Sequence, residues 1–160
     1  TLDLVEAAGS ARQTVAIGGS ETVDLSNPVL ELCQHGMRAE ADGRPGDARV
    51  LFERAWAIRG DDYDACVAAH YLARHQDGTA DTLRWNQSAL RHAVAVGDER
   101  VAAFLPSLHV SVALAHESLG DTAAARGAFE QALAHTAALP ADGYGEQLRS
   151  AITDGLARLA

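Results

Sequence analysis

Apolar residues recur at helical spacing along most of the chain, and two stretches share one pattern. These stretches are "GRPGDARVLFERAWAI" (43–58) and "LGDTAAARGAFEQALAH" (119–135). In each, a glycine turn is followed by Ala, Phe and Ala at spacings of four and three, which places the three side chains on one helix face. They are Ala48, Phe52 and Ala55 in the first stretch and Ala125, Phe129 and Ala132 in the second. The pattern predicts two equivalent helices that pack closely through alanine and fill the remaining gap with phenylalanine.

Capping and turn residues divide the chain into helices. Asn27-Pro28 is typical of a helix start, because asparagine accepts hydrogen bonds from first-turn amides and proline fits the first helical position. Pro106 interrupts the apolar segment 99–119, so the helix there either kinks or starts afresh. The other predicted boundaries are Asp61 or Asp62, Asp81 and Asp98 as N-caps, and Gly60, Gly97 and Gly120 as helix ends. About seven helices are expected over residues 28–160.

The shared pattern resembles the tetratricopeptide repeat (TPR), a 34-residue helix–turn–helix whose second helix carries A-x₃-F followed by another alanine. On this template Gly36 takes the small-residue position of the first helix, and Gly43 lies in the turn. The resemblance implies an all-α, right-handed superhelical array of antiparallel helix hairpins. About three degenerate repeats would cover residues 28–140, followed by a closing helix.

The sequence departs from the family pattern at several places. Leu32 and Ala39 occupy the positions where the family carries Trp and Tyr. The middle repeat, residues 61–97, departs furthest: His70 stands where the family prefers Gly or Ala, and Asn86 stands at the Phe position. The register of the middle repeat is therefore left open by about one residue.

The two ends of the chain differ from the repeats. Residues 1–27 are short apolar pieces broken by Gly and Ser, which predicts a poorly ordered or loosely packed lead-in to a repeat domain at 28–160. An alternative is that "TVAI" (14–17) lies along the protein's own groove or a neighbour's. The closing helix is predicted from apolar residues at helical spacing after Pro140, namely Leu148, Ile152, Leu156 and Leu159.

The resemblance also implies a binding surface, because the first helices of TPR hairpins line a concave face. The positions that would face a partner are Glu40, Val67, Tyr71, Arg74, His75, Ser107, Val110, Leu114 and Glu117. Arg74, placed between Glu40 and Glu117 on neighbouring helices, either recognises a carboxylate of the partner or pairs with those glutamates. The lysines and asparagines of the family's carboxylate clamp are not supplied by this sequence. The alternative is a small-molecule or regulatory domain in which Tyr71, Trp85 and His109 close a pocket.

Composition narrows the class of protein. Apolar residues make up 48% and aromatic residues only 5%, so the core must be built from Ala, Leu and Val, which favours helices. A net charge of −9 disfavours nucleic acid as a partner. All 13 basic residues are arginines, as a GC-rich, for example bacterial, genome would produce. No apolar run approaches a membrane span and no signal segment is present, so we expect a soluble cytoplasmic protein.

The sequence offers little for catalysis. His70 and His75 are five residues apart, which turns them away from each other on a helix, whereas a metal-binding pair needs a spacing of four. No phosphate loop, GxSxG elbow or CxxC pair is present, and Cys33 and Cys66 lack a nucleophile context. We expect no enzyme activity, no cofactor and no metal. The predicted partner is a protein or peptide, with a homo-oligomer as a further possibility.

Overall fold

The computed structural model describes residues 27–160, and all regular secondary structure in this part of the chain is helical. Its α-helices are α1 (Pro28–Ala41), α2 (Pro45–Ala57), α3 (Asp62–Ala73), α4 (Thr79–Val96), α5 (Glu99–Ala102), α6 (Leu105–Ser118), α7 (Thr122–Ala134) and α8 (Gly143–Arg158). A 3-10 turn, Thr136–Ala138, lies between α7 and α8. The all-α prediction is confirmed. Apart from Asn27, the predicted N-terminal segment 1–27 lies outside the described residues.

The helix count differs from the expected seven by one short helix. α5 has four residues and precedes Pro106, which occupies the second position of α6. Proline has no backbone N–H and is tolerated in the first turn of a helix. Of the two alternatives at Pro106, the structure therefore has the fresh start, with Phe104 preceding α6 and fully buried.

Most of the predicted caps are present. The side chains of Asn27, Asp61 and Asp98 accept hydrogen bonds from first-turn amides of α1, α3 and α5. The prediction for Asp81 was wrong: α4 starts two residues earlier, with Gly78 as its N-cap in an extended conformation. Asp81 instead lies in the first turn of α4, where its carboxylate pairs with Arg84 and is favourable near the positive end of the helix dipole.

The turns use glycine where the backbone is left-handed. Gly43, Gly97 and Gly120 have φ angles of 72°, 63° and 79°, a region that side-chain-bearing residues rarely adopt. Gly60 does not end a helix as predicted, because α2 already ends at Ala57 with Ile58 as its C-cap. The amide of Gly60 instead donates to Asp64 Oδ2 at 2.9 Å.

Consecutive helices pair into hairpins. The most extensive packing is of α1 with α2, α3 with α4, and α6 with α7, which we call the first, second and third hairpins. Helices joined by such short turns and packed along their length run antiparallel. α2 packs on α3, α4 on α6, and α7 on α8, so each hairpin contacts the next and α8 closes the row. The handedness of the array stays a prediction.

Two phenylalanine rings occupy the positions that the repeat pattern predicts. Phe52 is fully buried in α2, and a Cβ added at Gly36 of α1 would overlap its ring. A Cβ added at Gly155 of α8 would likewise overlap the ring of the buried Phe129, but Gly155 lies in the helix that follows its ring, whereas Gly36 lies in the helix that precedes it. Each glycine therefore lets a helix approach a ring more closely than any other residue would allow. The partner of Phe129 in the closing helix was not identified from the sequence.

Candidate functional site

An open groove of about 620 Å³ lies where the second hairpin meets α6 and α8. We call it the inner groove. Its lining residues are His70, Ala73 and Arg74 of α3, Thr79, Thr82 and Asn86 of α4, Ser111, Leu114, Ala115 and Ser118 of α6, and Gln147 and Ala151 of α8. Four helices thus contribute to one concave surface of a size common for binding sites.

The inner groove contains Asn86, the residue at the predicted phenylalanine position of the middle repeat. Asn86 is 6% exposed and its Nδ2 donates to the backbone oxygen of Ser111 at 3.4 Å. Its amide is much smaller than the rings of Phe52 and Phe129. His70, at the position equivalent to Gly36, is 3% exposed and lines the same groove. Here an amide stands in place of the phenylalanine ring, and an imidazole stands in place of the glycine. This junction is therefore open and polar.

The lining of the inner groove is rich in hydrogen-bonding groups. Hydroxyls come from Thr79, Thr82, Ser111 and Ser118, and amides from Asn86 and Gln147. Leu114 contributes an apolar contact and is 44% exposed. Arg74 is the single arginine among the described lining residues, and none of those residues is a carboxylate. The surface therefore combines polar groups, one exposed leucine and one positive charge.

Arg74 is held at the end of α3 by the first hairpin. Its guanidinium pairs with the carboxylate of Glu40 in α1, and His75 Nε2 lies 2.6 Å from the other oxygen of that carboxylate. The Arg74 guanidinium also lies 5.1 Å from the centre of the Tyr71 ring. Arg74 Nη1 has no hydrogen-bond partner within the described part of the chain. The arginine is fixed in place with part of its donor capacity unused.

Glu117 belongs to a separate ion pair. Its carboxylate accepts two hydrogen bonds from Arg158 of α8, at 3.1 and 3.0 Å, and these bonds lower the pKa of Glu117. The sequence placed Arg74 between two glutamates, and the structure pairs it with Glu40 while Glu117 pairs elsewhere. Both glutamates thus link the first helix of a hairpin to the next helix on the same side.

Four residues that the resemblance placed on the concave face lie in the core instead. Val67, Tyr71, Ser107 and Val110 are all 0% exposed, so none of them has surface to offer to a partner. The Tyr71 ring stacks on Phe52 with 5.1 Å between ring centres, which explains its burial. Among the residues predicted for that face, the structure leaves Glu40, Arg74, His75, Leu114 and Glu117 at least partly exposed.

The alternative pocket is not formed. Tyr71 stacks on Phe52, Trp85 packs edge-on against Trp56 at 4.9 Å, and His109 stacks on His135 at 5.5 Å. None of Tyr71, Trp85 and His109 lines the inner groove. Burial and the neighbouring His135 lower the pKa of His109. The three rings therefore take part in three separate contacts.

A second polar-aromatic cluster joins α2, α3 and α4 and was missed by the sequence analysis. Arg59 lies 3.8 Å above the Trp56 ring, His92 packs on the same ring, and His92 Nδ1 is 2.7 Å from Asp62 Oδ1. The side chains of this cluster therefore interact with one another within the protein. The groove residues Thr79, Thr82 and Gln147 were also missed, because an isolated hydroxyl or amide on a helix carries no periodic signal.

The structure shows no arrangement typical of a metal or redox centre within residues 27–160. No group of three or more His, Cys, Asp and Glu side chains in this range is placed to hold a metal ion. Cys66 is buried, and burial raises the pKa of its thiol to about 12, which makes it a poor nucleophile. No helix in the same range has the length and apolar character needed to span a bilayer.

Comparison with known proteins gives no relative. No family model matches the chain, and no curated protein or solved structure matches it. The TPR resemblance therefore stays a prediction.

Proposed function

We propose that the protein is a non-catalytic, TPR-like scaffold of the cytoplasm that binds a protein or peptide segment along the inner groove. The observation that carries this proposal is the groove between α3, α4, α6 and α8, which is open and lined by hydrogen-bonding side chains. Two of these helices, α3 and α6, are first helices of hairpins, which the repeat pattern assigns to the concave side of a right-handed array.

An extended peptide matches the chemistry of the groove. Its backbone offers unpaired N–H and C=O groups, and the groove offers hydroxyls and amides that both donate and accept hydrogen bonds. Leu114 would contact an apolar side chain of the peptide. Because the lining residues stand on helices that are packed before any partner arrives, little ordering entropy is lost on binding.

Arg74 would set the orientation of the bound segment. Its guanidinium is restrained by Glu40, and its side chain is 25% exposed and lines the groove, so an anionic or carbonyl group of the partner gains a positive charge already in position. The protein is otherwise acidic, with a net charge of −9, which favours a partner whose charge is local rather than spread along a phosphate backbone.

A peptide library displayed on phage and selected against the whole protein tests the proposal. Selected peptides are expected to lose at least about tenfold in affinity for Leu114→Glu, because a carboxylate replaces the exposed apolar contact. The matched control is Leu133→Glu on α7, where the leucine is 51% exposed and lies outside the groove. Equal loss in both variants, or none in either, would contradict the groove assignment.

A second variant fills the groove. Asn86→Phe combined with His70→Ala places a ring and a small residue where the first hairpin has Phe52 and Gly36. Circular dichroism and thermal melting would establish that this variant is folded. Peptides that bind the folded double variant as well as they bind the wild type would show that the groove is not the binding site.

A further inference from the structure

The single arginine of the inner groove is paired with an acid from outside the groove. None of the described residues that line the groove is Asp or Glu, although the chain has 22 of these residues. The carboxylate that pairs with Arg74 belongs to Glu40, which stands in the last turn of α1 and does not line the groove. The positive charge of the groove is therefore neutralised by the neighbouring hairpin.

Glu40 holds Arg74 in a place that is shielded from water. The side chains of Arg74 and Glu40 are 25% and 20% exposed, whereas those of the pair Arg158 and Glu117 are 50% and 27% exposed. The attraction between opposite charges grows as water is excluded from their surroundings. An anion that binds Arg74 must therefore compete with a stronger partner than an anion that binds Arg158.

Glu40 keeps a hydrogen bond when Arg74 is taken away. Its oxygen Oε1 lies 2.6 Å from Nε2 of His75, and because a carboxylate only accepts hydrogen bonds, this nitrogen is the donor. The His75 ring packs against the Phe52 ring, with 5.3 Å between the ring centres, and this contact restrains it. Withdrawal of Arg74 would therefore leave Glu40 with a donor in place and not as an unpaired, half-buried charge.

Arg74 contacts Glu40 and the groove at the same time. It is the C-cap residue of α3, and its side chain is part of the groove lining. An arginine side chain changes direction by rotation about its single bonds, so the guanidinium can pass from Glu40 to a group in the groove without a movement of α3. The two arrangements of Arg74, paired with Glu40 or with a ligand in the groove, thus differ in the position of one side chain.

We propose that Glu40 is an internal competitor, which occupies Arg74 while the inner groove is empty and is displaced by an aspartate or glutamate of the bound segment. This inference rests on the proposed function and deepens it, because it names an acidic segment as the partner and a residue that controls its binding. A small free carboxylate brings no contact with Leu114 to offset the loss of the Glu40 pair. The internal competitor thus restricts the groove to acidic segments that also contact the rest of its lining.

Two peptide libraries test the exchange. Both consist of short peptides with blocked ends and random sequence; one has an aspartate fixed at its centre and the other an asparagine. Retention on the immobilised protein gives the average affinity of each library. Glu40→Gln is expected to raise the affinity for the aspartate library by at least about fivefold, and to leave that for the asparagine library within about twofold of wild type. The increase should disappear when Arg74→Gln is added.

Two further variants separate release of Arg74 from a change in net charge. Glu117→Gln removes the same charge and also breaks a pair with an arginine, Arg158, which lies outside the groove. It should leave the affinity for both libraries unchanged. Glu40→Asp keeps the charge on a shorter side chain, which weakens the contact with Arg74. It should raise the affinity for the aspartate library, and it serves as the second measurement if Glu40→Gln does not fold.

The outcomes distinguish failure of this inference from failure of the proposed function. No retention of either library, or retention that Leu114→Glu does not weaken, overturns the proposed function and the internal competitor together. Retention that depends on Leu114, but responds equally to Glu40→Gln and Glu117→Gln, overturns the internal competitor alone. An equal rise for the aspartate and asparagine libraries does the same, because the exchange requires a carboxylate on the bound segment.

Discussion

The junctions between successive hairpins are built in two different ways. Where the first hairpin meets α3, the Phe52 ring stacks on Tyr71 of α3 and Glu40 pairs with Arg74. Where the second hairpin meets α6, Asn86 stands at the ring position, and in the described residues no glutamate–arginine pair joins α3 to α6. The first junction is closed, and the second contains the inner groove.

The last junction is also closed by a ring and an ion pair. Phe129 packs on Gly155, and Glu117 pairs with Arg158. The same 77 residues separate Phe52 from Phe129 and Glu40 from Glu117. Two closed junctions therefore flank an open one, and the open junction differs from both in having neither the ring nor the glutamate–arginine pair.

The largest expected loss of stability follows removal of a phenylalanine ring at a closed junction. Phe129→Ala should lower the free energy of unfolding by about 3–5 kcal/mol, because a fully buried ring is removed beside a glycine that cannot fill the space. Urea denaturation measures the loss. Asn86→Ala at the open junction should cost about 1 kcal/mol, the worth of one long hydrogen bond. Similar losses for the two variants would remove the distinction between the junctions.

Closing the open junction should reveal coupling between its two exchanged residues. Asn86→Phe alone places a ring against the buried His70, whereas Asn86→Phe with His70→Ala gives the ring the space that Phe52 has at Gly36. The double variant is expected to be more stable than the sum of the single changes predicts by about 1–2 kcal/mol. A double-mutant cycle in urea measures this coupling, and additive effects would mean that the two residues do not share one space.

The third hairpin should respond to acid through His109. Its pKa is lowered in the folded protein by burial and by His135, so the unfolded chain binds the proton more readily. The stabilisation is fully present above the unfolded pKa of about 6.5 and is lost as the pH falls through the folded pKa. Melting temperatures between pH 7.5 and pH 5 should fall less in His109→Gln than in wild type. An identical pH profile for the variant would exclude His109 as the cause.

The smallest loss of stability is expected when an ion pair is removed. Glu40 is held by both Arg74 and His75, all three being at least three-quarters buried, so Glu40→Gln should cost about 1 kcal/mol. Glu117→Gln removes an exposed pair with Arg158 and should change the melting temperature little, with any change screened by salt. Thermal melting at low and high salt compares the two variants. A larger fall in melting temperature for Glu117→Gln than for Glu40→Gln would contradict the expectation that the more buried ion pair contributes more to stability.

The sequence predicted a helix or its start correctly where the pattern lies within that single helix. The alanine and phenylalanine spacing predicted the second helices of the first and third hairpins, and Asn27, Asp61 and Asp98 marked helix starts. α5 was missed because four residues are too few for a periodic pattern. Asp81 was misassigned because the N-cap of α4 is Gly78, three residues earlier, and a glycine has no side chain to mark a cap.

The candidate site was predictable only in part. His70 and Asn86 stood out as departures from the repeat, and both line the groove. The other lining residues come from four helices, and their proximity depends on how hairpins pack, which no single-helix period encodes. Tyr71 was placed on a surface by its repeat position, although the apolar character of α3 on all sides already required burial.

The open junction also affects how the molecule would respond to mechanical force. A pull on the two ends of the helical row loads every junction in series, because each hairpin contacts only its neighbours. The inner groove is lined by α3 and α4 on one side of the open junction and by α6 and α8 on the other. A segment bound in the inner groove would therefore act as a strap that carries part of the tension across this junction.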